Sequence, residues 1–231
     1  MVKTVLLRTV ILMTTEEVQL KPEAEVKSEK GAKPEIKIAI ISDFFGTLTP
    51  SRGEEIIRQC CVVCGKKPSE MVPIIENPEL EEGLDSDALA RCDKIIDQAT
   101  EKTEIVPSAL DALIYWLNNG CDVYISSSGN CDSIANRLRR ENDETKRFIV
   151  LGRKSGSKKN HLRIIREKKK YDIIIMIGDS AKDFKNDVDF KIAVNVRGDE
   201  EFLMTSNIYA HTPDPLDREI LATILRSYIK Q

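Results

Sequence analysis

Three short apolar runs, each followed within two residues by a reactive polar side chain, constrain the fold of this chain most strongly. The runs are residues 36–41 (IKIAII), 121–125 (CDVYI) and 173–177 (IIIMI). Segments with helical periodicity separate them, and alternating strands and helices form a parallel sheet with helices on both faces. Nearly continuous apolar strands also fit a sheet that is buried on both sides. We therefore expect an α/β fold with a Rossmann-like, doubly wound parallel sheet.

The remaining elements follow from apolar spacing and from proline or glycine at their ends. The spacing predicts two further strands at residues 148–151 and 192–196. It predicts helices over residues 54–63, 68–75, 85–100, from Pro107 to a stop at Gly120, 134–140, 158–169, and a final helix with Leu216, Ile220, Ile224 and Tyr228 on one face.

Charge and hydropathy exclude several classes of partner. The chain has 35 basic and 38 acidic side chains, so its net charge of -3 favours neither nucleic acid nor an anionic membrane as the main partner. No apolar run reaches the 18 residues of a membrane span. Arg8 interrupts the apolar start of the chain, and no small-residue cleavage site follows it. We expect a cytoplasmic protein, either a monomer or a homodimer.

The N-terminal 35 residues differ in composition from the rest. Residues 14–35 alternate Glu with Lys, contain Pro22 and Pro34, and have almost no large apolar side chains. Such a sequence is typical of a solvated linker. We interpret residues 1–35 as an N-terminal segment and charged linker that precedes the folded core.

The six cysteines are too few for a disulfide framework in a chain of this length. Cys61 and Cys64 have the spacing of a zinc knuckle, and Cys60 and Cys92 are the other nearby candidates. No second paired spacing exists. A reduced cluster that packs between helices is the favoured interpretation, with a zinc site as the alternative. The two histidines, His161 and His211, read as surface residues.

The polar residues at the strand ends suit phosphate chemistry. Transfer of a phosphoryl group needs a nucleophile, a cation on the phosphate oxygens and hydrogen-bond donors. Asp43 supplies a carboxylate nucleophile and a metal-binding oxygen, and Asp179 with Asp183 completes a magnesium site. The donors are then the backbone N–H groups of the turn at Gly46 and Thr47, the Ser126 hydroxyl, and a lysine from residues 154–159.

Four ordered motifs resemble those of the haloacid dehalogenase (HAD) superfamily of phosphatases and phosphotransferases. They are IAIISDFFGTLT (residues 38–49), VYISSSGN (123–130), the lysine of KSGSKKNHL (154–162) and IIIMIGDSAKDFKND (173–187). The resemblance covers residues 36–196. It implies a Rossmann-like core, a cap lobe and Mg²⁺ as the cofactor.

The resemblance also implies residue roles. Asp43 is the nucleophile, and the metal ligands are Asp43, the backbone carbonyl of Phe45, Asp179 and Asp183. Lys158 is the catalytic lysine, because Leu162 and Ile165 then follow as a buried helix face, while Lys154 and Lys159 stay as alternatives. The phosphate-binding residues are Gly46, Thr47, Ser126, Ser127 and Lys158.

The resemblance further divides the chain into lobes. Residues 36–49 and 106–231 correspond to the HAD-like core. Residues 50–105, which are mostly helical by pattern, correspond to the small helical cap that the family inserts after the first strand. Such a lid excludes water and selects the substrate.

Phe45 departs from the family pattern. Phosphatases of the family carry a second aspartate at this position, which protonates the leaving group. We therefore weigh three functions. The favoured one is a Mg²⁺-dependent phosphatase or phosphotransferase-like hydrolase that acts through an aspartyl-phosphate on a small phosphorylated metabolite. The alternatives are a catalytically impaired phosphate-binding or regulatory protein of the same fold and, less favoured, a 2-haloacid dehalogenase-like hydrolase.

Overall fold

The computed structural model describes residues 36–50, 53–81, 84–185, 187–194, 210–211, 218 and 222. All of them belong to one compact unit, Ile36–Gln231. The predicted linker at residues 1–35 and the apolar face of the predicted final helix lie outside the described residues. Within the described part of the chain, no helix is both long enough and apolar enough to cross a membrane.

The described residues form one six-stranded sheet in which every pair of neighbouring strands is parallel. The strands are β1 (Ile38–Ser42), β2 (Asp122–Ser126), β3 (Ile149–Leu151), β4 (Ile173–Gly178), β5 (Phe190–Ala193) and β6 (Ala210–His211). Their order in the sheet is β3-β2-β1-β4-β5-β6. This is the order of a Rossmann-like doubly wound sheet, so the predicted fold class is confirmed.

Six α-helices connect these strands in the described part of the chain. They are α1 (Glu54–Cys64), α2 (Pro68–Glu76), α3 (Ser86–Lys102), α4 (Pro107–Asn118), α5 (Cys131–Glu141) and α6 (Lys158–Lys168). Short 3-10 helices occur at Pro78–Leu80, Asp143–Arg147, Arg153–Ser155 and Asp183–Lys185. All six helices were predicted from the sequence, with boundaries that differ by at most three residues.

Strand β1 begins two residues after its predicted start, β2 and β3 each begin one residue late, and two further strands differ from the sequence-based expectation. The structure begins β5 at Phe190, two residues before the predicted start, and ends it at Ala193. The two-residue strand β6 was not predicted, because so short a segment shows no periodicity. It pairs with β5 through Ala210 and His211, opposite Ile192 and Ala193.

Local capping explains where several helices begin. The Asp85 carboxylate accepts a hydrogen bond from the N–H of Asp87 at 3.1 Å at the start of α3. The Asn130 side chain accepts from the N–H of Asp132 at 2.9 Å at the start of α5. Pro107 occupies the first turn of α4, where its missing N–H costs nothing. These caps set the directions in which the helices leave the sheet.

Two apolar layers cover the sheet. Alternate strand residues such as Ile40 and Val123 pack with α4 and α5 on one face. Their neighbours Ile41 and Tyr124 pack with α6 on the other face. Burying both faces leaves the carboxyl ends of the strands as the place where polar groups gather.

Helices α1 to α3 form a separate helical insert, which we define as residues 50–105. Its apolar cluster includes Cys60, Cys61, Cys92, Met71 and Ile96. Burial raises the pKa of the Cys60 and Cys61 thiols, and also that of Cys92. Thiols in such surroundings are inert packing groups. All six cysteines are free thiols.

The two ends of the helical insert lie side by side. The N–H of Val106 donates to the carbonyl of Leu48 at 2.8 Å, so the chain rejoins the core beside the point where it left. Contacts above this junction bring the insert over the sheet edge: Arg153 Nη1 donates to the Ile75 carbonyl at 2.9 Å, and the Ser133 hydroxyl donates to Asp97 at 2.7 Å.

Candidate active site

The site lies where the strand order reverses, beside the central strand β1. The last paired residue of β1, Ser42, lies opposite Ile125 of β2 and Ile177 of β4. Asp43 therefore comes next to Ser126 on one side and next to Gly178–Asp179 on the other. Ligands of doubly wound sheets bind at such a switch point.

The loop after β1 is fixed to the sheet by its backbone. The N–H of Asp43 donates to the carbonyl of Ile177 at 2.9 Å, and the N–H of Phe44 donates to the Asp43 carboxylate at 2.8 Å. The N–H of Leu48 then returns to the Phe44 carbonyl at 2.9 Å. These bonds hold the Asp43 carboxylate at the edge of the sheet.

Three buried carboxylates meet at this edge. Oxygens of Asp43, Asp179 and Asp183 all lie within 4.8 Å of one another, and among the described residues these form the only such group of potential metal ligands. The three residues are 7%, 7% and 0% exposed. Asp183 also accepts hydrogen bonds from the N–H and the hydroxyl of Ser180, at 3.1 and 3.0 Å.

Two glycines make room for this cluster. A Cβ atom on Gly46 would lie 2.2 Å from an Asp179 carboxylate oxygen, and one on Gly178 would lie 2.3 Å from an oxygen of Asp183. Gly46 also has a φ of +78°, which residues with a side chain rarely adopt. The carboxylates approach so closely only because both positions lack a side chain.

Lys158 is the counter-charge of the cluster. Its Nζ lies 2.9 Å from Asp43 Oδ1 and donates a hydrogen bond to Asp183 Oδ1. The two carboxylates raise the pKa of Lys158 against the opposing effect of burial. The structure thus brings the lysine chosen from the sequence, rather than Lys154 or Lys159, to Asp43.

Burial is the main influence on the pKa of the Asp43 carboxyl. Burial raises its pKa to about 7 from an ordinary value of 3.8. The Lys158 ammonium opposes this shift, whereas Asp183 and Asp179 reinforce it. A second cation beside Asp43 would therefore strongly favour its ionised carboxylate.

The donor set fits magnesium. Mg²⁺ prefers hard oxygen ligands such as carboxylates and keeps several of its waters. The Lys158 ammonium contacts Asp43 and Asp183, and carboxylates gathered this closely in a buried place repel one another. A divalent cation among the three carboxylates would reduce this repulsion.

The predicted phosphate-binding residues differ in their hydrogen-bond partners and in whether they line the cavity. Thr47 is 1% exposed, and its hydroxyl has no hydrogen-bond partner among the described residues. Ser127 lines the cavity beside Asp43 and Lys158. The Ser126 hydroxyl instead lies 2.9 Å from Nδ1 of His161, and Ser126 is not among the described residues that line the cavity.

Phe45 brings an aromatic ring to the site. The ring is partly buried, lines the cavity and makes an edge-to-face contact with Phe44, with 5.0 Å between the ring centroids. It packs against the larger apolar layer of the core. Because a phenyl ring carries no exchangeable proton, Phe45 cannot act as an acid or base.

A cavity of about 1280 Å³ opens over this edge. Its walls combine the sheet edge and α6 with the helical insert, which contributes Ile56, Val72, Ile75 and Ile96. Lys182 spans the two parts through an ion pair with Glu76. The side of the cavity formed by the sheet edge, which we call the floor, is charged. The side formed by the helical insert, which we call the roof, is partly apolar.

His161 was misread from the sequence as a surface residue. The structure places it on α6, only 1% exposed, between Ser126 and the carbonyl of Gly152. Its burial could have been predicted from its position on α6. It lies three residues after Lys158 and just before Leu162, and both of these residues lie on the inward face of the helix. His211 lies in β6.

Comparisons with known proteins agree with this geometry. No family model and no curated protein matches the chain. Solved structures do. A hydrolase from Pseudomonas syringae has a TM-score of 0.57 at 16% identity, covering 78% of this chain and 94% of that one.

Two further structures extend this similarity. A haloacid dehalogenase-like family hydrolase from Streptococcus pneumoniae has a TM-score of 0.55 at 17% identity, covering 82% of this chain and 98% of that one. A phosphoserine phosphatase, solved as a phospho-aspartyl intermediate analogue, has a TM-score of 0.52 at 17% identity, covering 82% and 99%. The chain has the fold of the haloacid dehalogenase-like hydrolases, as the sequence motifs predicted.

Gly46→Ala should abolish tight binding of Mg²⁺, because the new Cβ would displace the Asp179 carboxylate. We expect at least a tenfold loss of Mg²⁺ affinity in isothermal titration calorimetry. Gly120→Ala is the matched control: Gly120 has a φ of +89°, but nothing lies within 4 Å of its Cβ position. That variant should lose stability and keep its Mg²⁺ affinity. Equal losses of Mg²⁺ affinity in both variants would show that a clash with Asp179 is not the cause.

Stabilisation by Mg²⁺ should increase with pH. The folded-state pKa of Asp43 lies above its ordinary value, so this group costs the metal-free protein stability as pH rises from 3.8 to about 7. Mg²⁺ restores that stability only where Asp43 is ionised. We expect a larger Mg²⁺-induced rise in melting temperature at pH 8 than at pH 5.5, and the same trend in an Asp111→Asn surface control. A shift independent of pH would contradict this account.

Proposed function

We propose that this protein is a Mg²⁺-dependent phosphatase-like hydrolase that acts on a small phosphorylated molecule through an aspartyl-phosphate at Asp43. The observation that carries the proposal is the cluster of three buried carboxylates, two of which contact the Lys158 ammonium. A purely structural ion pair needs only one carboxylate. Three carboxylate oxygens within reach of one point suit a site where a metal ion and a phosphoryl group bind together.

Each residue has a separate task in this proposal. The metal ligands are Asp43, Asp179, Asp183 and the carbonyl of Phe45, and the bound Mg²⁺ would neutralise phosphate charge. Lys158 neutralises further charge and holds Asp43 in position through its 2.9 Å contact. The N–H of Thr47 and a serine hydroxyl at the end of β2 provide neutral donors to the phosphate oxygens, whereas the N–H of Gly46 donates to the Thr49 hydroxyl oxygen at 3.3 Å.

The reaction at Asp43 proceeds in two displacements. A carboxylate oxygen of Asp43 attacks phosphorus, and the bond between phosphorus and the leaving-group oxygen breaks, with its electron pair going to the leaving group. Water then attacks the aspartyl-phosphate and releases inorganic phosphate, which regenerates the carboxylate. Neither step changes an oxidation state, so no redox partner is needed.

Phe45 limits the kind of leaving group. With a phenyl ring where an acid would protonate the departing oxygen, that oxygen leaves as an anion or takes its proton from water. Substrates whose leaving groups are weakly basic, such as aryl or acyl phosphates, are therefore favoured over alkyl phosphomonoesters.

The helical insert acts as the cap in this proposal. Residues 50–105 then form the cap, and residues 36–49 with 106–231 form the core. The cavity between a charged floor and a roof that includes Ile56 and Ile75 supports this division. The roof would shield the phosphoryl group from water and contact the non-phosphate part of the substrate.

Asp43→Asn tests the catalytic proposal. An amide is a poor nucleophile, so the variant should lose at least 10³-fold of the Mg²⁺-dependent hydrolysis of an aryl phosphate. Asp187→Asn, which alters an exposed aspartate lining the same cavity, is the control and should retain the activity.

Three other outcomes would contradict the proposal. Equal hydrolysis by Asp43→Asn and wild type would exclude Asp43 as nucleophile. Metal-dependent phosphate binding by wild type without turnover would favour a phosphate-binding or regulatory protein. Halide release from a 2-haloacid in the presence of EDTA would favour the dehalogenase-like alternative.

Phe45→Asp tests the missing acid. In wild type, kcat/KM for a series of aryl and alkyl phosphates should fall steeply as the pKa of the leaving group rises. In Phe45→Asp the dependence should flatten, with a gain of about 10²-fold or more for the alkyl phosphates. Phe45→Asn introduces a similar polar side chain without an acidic proton and should give no gain. A flat dependence in wild type would show that another group supplies the proton.

A further inference from the structure

His161 is a buried titratable residue that the proposed reaction does not use. It lies one helical turn after Lys158 on α6 and is 1% exposed. Its Nδ1 is 2.9 Å from the Ser126 hydroxyl oxygen, and its Nε2 is 3.1 Å from the carbonyl oxygen of Gly152. Both ring nitrogens therefore have defined partners.

The Gly152 carbonyl determines the tautomer of the imidazole. A carbonyl oxygen only accepts hydrogen bonds, so Nε2 must carry the proton. Burial lowers the pKa of His161 to about 4, and the nearby Lys158 ammonium acts in the same direction, while the backbone carbonyls of Gly152 and Gly156 oppose this shift. The neutral ring has one proton, so Nδ1 is an acceptor at neutral pH.

The direction of the Ser126 hydrogen bond follows. Because Nδ1 has only a lone pair to offer, the Ser126 hydroxyl donates its proton to the ring. Turning this hydroxyl towards a phosphate would leave Nδ1 buried and unsatisfied, which opposes the movement by about tenfold or more. Ser126 is thus held as a donor to His161.

Ser127 is as buried as Ser126, each being 1% exposed, but its hydrogen bonds differ. Its hydroxyl oxygen accepts the N–H of Gly129 at 3.2 Å, and no described acceptor receives its proton. The residue lines the cavity together with Asp43 and Lys158, where Ser126 does not. A phosphate oxygen at this edge would meet an available hydroxyl proton from Ser127.

We propose that His161 is a positioning residue that retains the hydroxyl proton of Ser126, so that Ser127 is the serine that donates to the phosphate of the substrate. The identity of the ligand rests on the proposed function. The His161–Ser126 pair does not, because it is a property of the folded chain. The resemblance implied both Ser126 and Ser127 as phosphate-binding residues, and the geometry favours Ser127 over Ser126 as the hydroxyl donor.

Nitrogen-15 NMR of the histidine rings tests the pair without any substrate. The chain has two histidines, so a spectrum of His161→Asn identifies the signals of His161. We expect a neutral ring with its proton on Nε2 from pH 5.5 to pH 8. A proton on Nδ1, or a charged ring at pH 7, would overturn the proposal.

Phosphate affinity tests the assignment to Ser127. Binding of inorganic phosphate in the presence of Mg²⁺ should weaken about tenfold or more in Ser127→Ala, the cost expected for losing a hydrogen bond to a charged group. Ser126→Ala should weaken it less and should instead lower the melting temperature, because it leaves Nδ1 of His161 without a donor. An equal or larger loss of affinity in Ser126→Ala would overturn the proposal.

Substitution of His161 separates positioning from a merely structural role. In a His161→Leu background Ser126 no longer has its acceptor, so its hydroxyl becomes available and Ser127→Ala should cost at least threefold less phosphate affinity than in wild type. In His161→Asn the amide oxygen still accepts from Ser126, and the full cost should return. The same cost in both backgrounds would contradict a positioning role.

Failure of the proposed function gives a different result. Wild type that binds no phosphate with Mg²⁺ would contradict that function and the role of Ser127 together. The tautomer of His161 and the lower melting temperature of Ser126→Ala would then still test whether Ser126 donates a hydrogen bond to His161.

Discussion

Three buried carboxylates held together at the carboxyl edge of the sheet are the constraint on which the site depends. Asp43 and Asp183 contact the Lys158 ammonium, Asp179 belongs to the same cluster, and carboxylates held this closely repel one another. Such an arrangement persists only where a rigid scaffold opposes the repulsion. Here the scaffold is the pair β1 and β4, which lie side by side and are buried on both faces.

Much of this arrangement was predictable from the sequence, because parallel strands place their carboxyl ends at one edge. The apolar runs indicated the strands, and the residues that follow them indicated Asp43, Ser126 and Asp179. Which lysine faces Asp43 was a choice among three, and the buried face of α6 decided it for Lys158.

The features that were not predicted depend on tertiary contacts, which no local sequence pattern indicates. His161 reads as an ordinary helical residue until β2 and the Gly152 carbonyl are placed around it. The direction of the Ser126 hydroxyl depends in turn on that ring. Strand β6 is too short to carry a periodic signal, and it exists because β5 offers it an edge.

In the proposed reaction, Phe45 affects proton transfer and leaves the placement of charge intact. Its ring packs with Phe44 and the core, and the Asp43 carboxylate accepts a hydrogen bond from the N–H of Phe44. The proposal thus separates the binding of a phosphoryl group from the protonation of its leaving group.

The hydrogen bond between Leu48 and Val106 has a consequence for how such a chain can change over generations. It joins the two ends of the helical insert, a segment of more than fifty residues. The core therefore passes from β1 to α4 as if the insert were absent. A lobe attached in this way can be lengthened, shortened or replaced without moving a strand. Substrate preference could then evolve in the lobe while the charged floor beneath it stays the same.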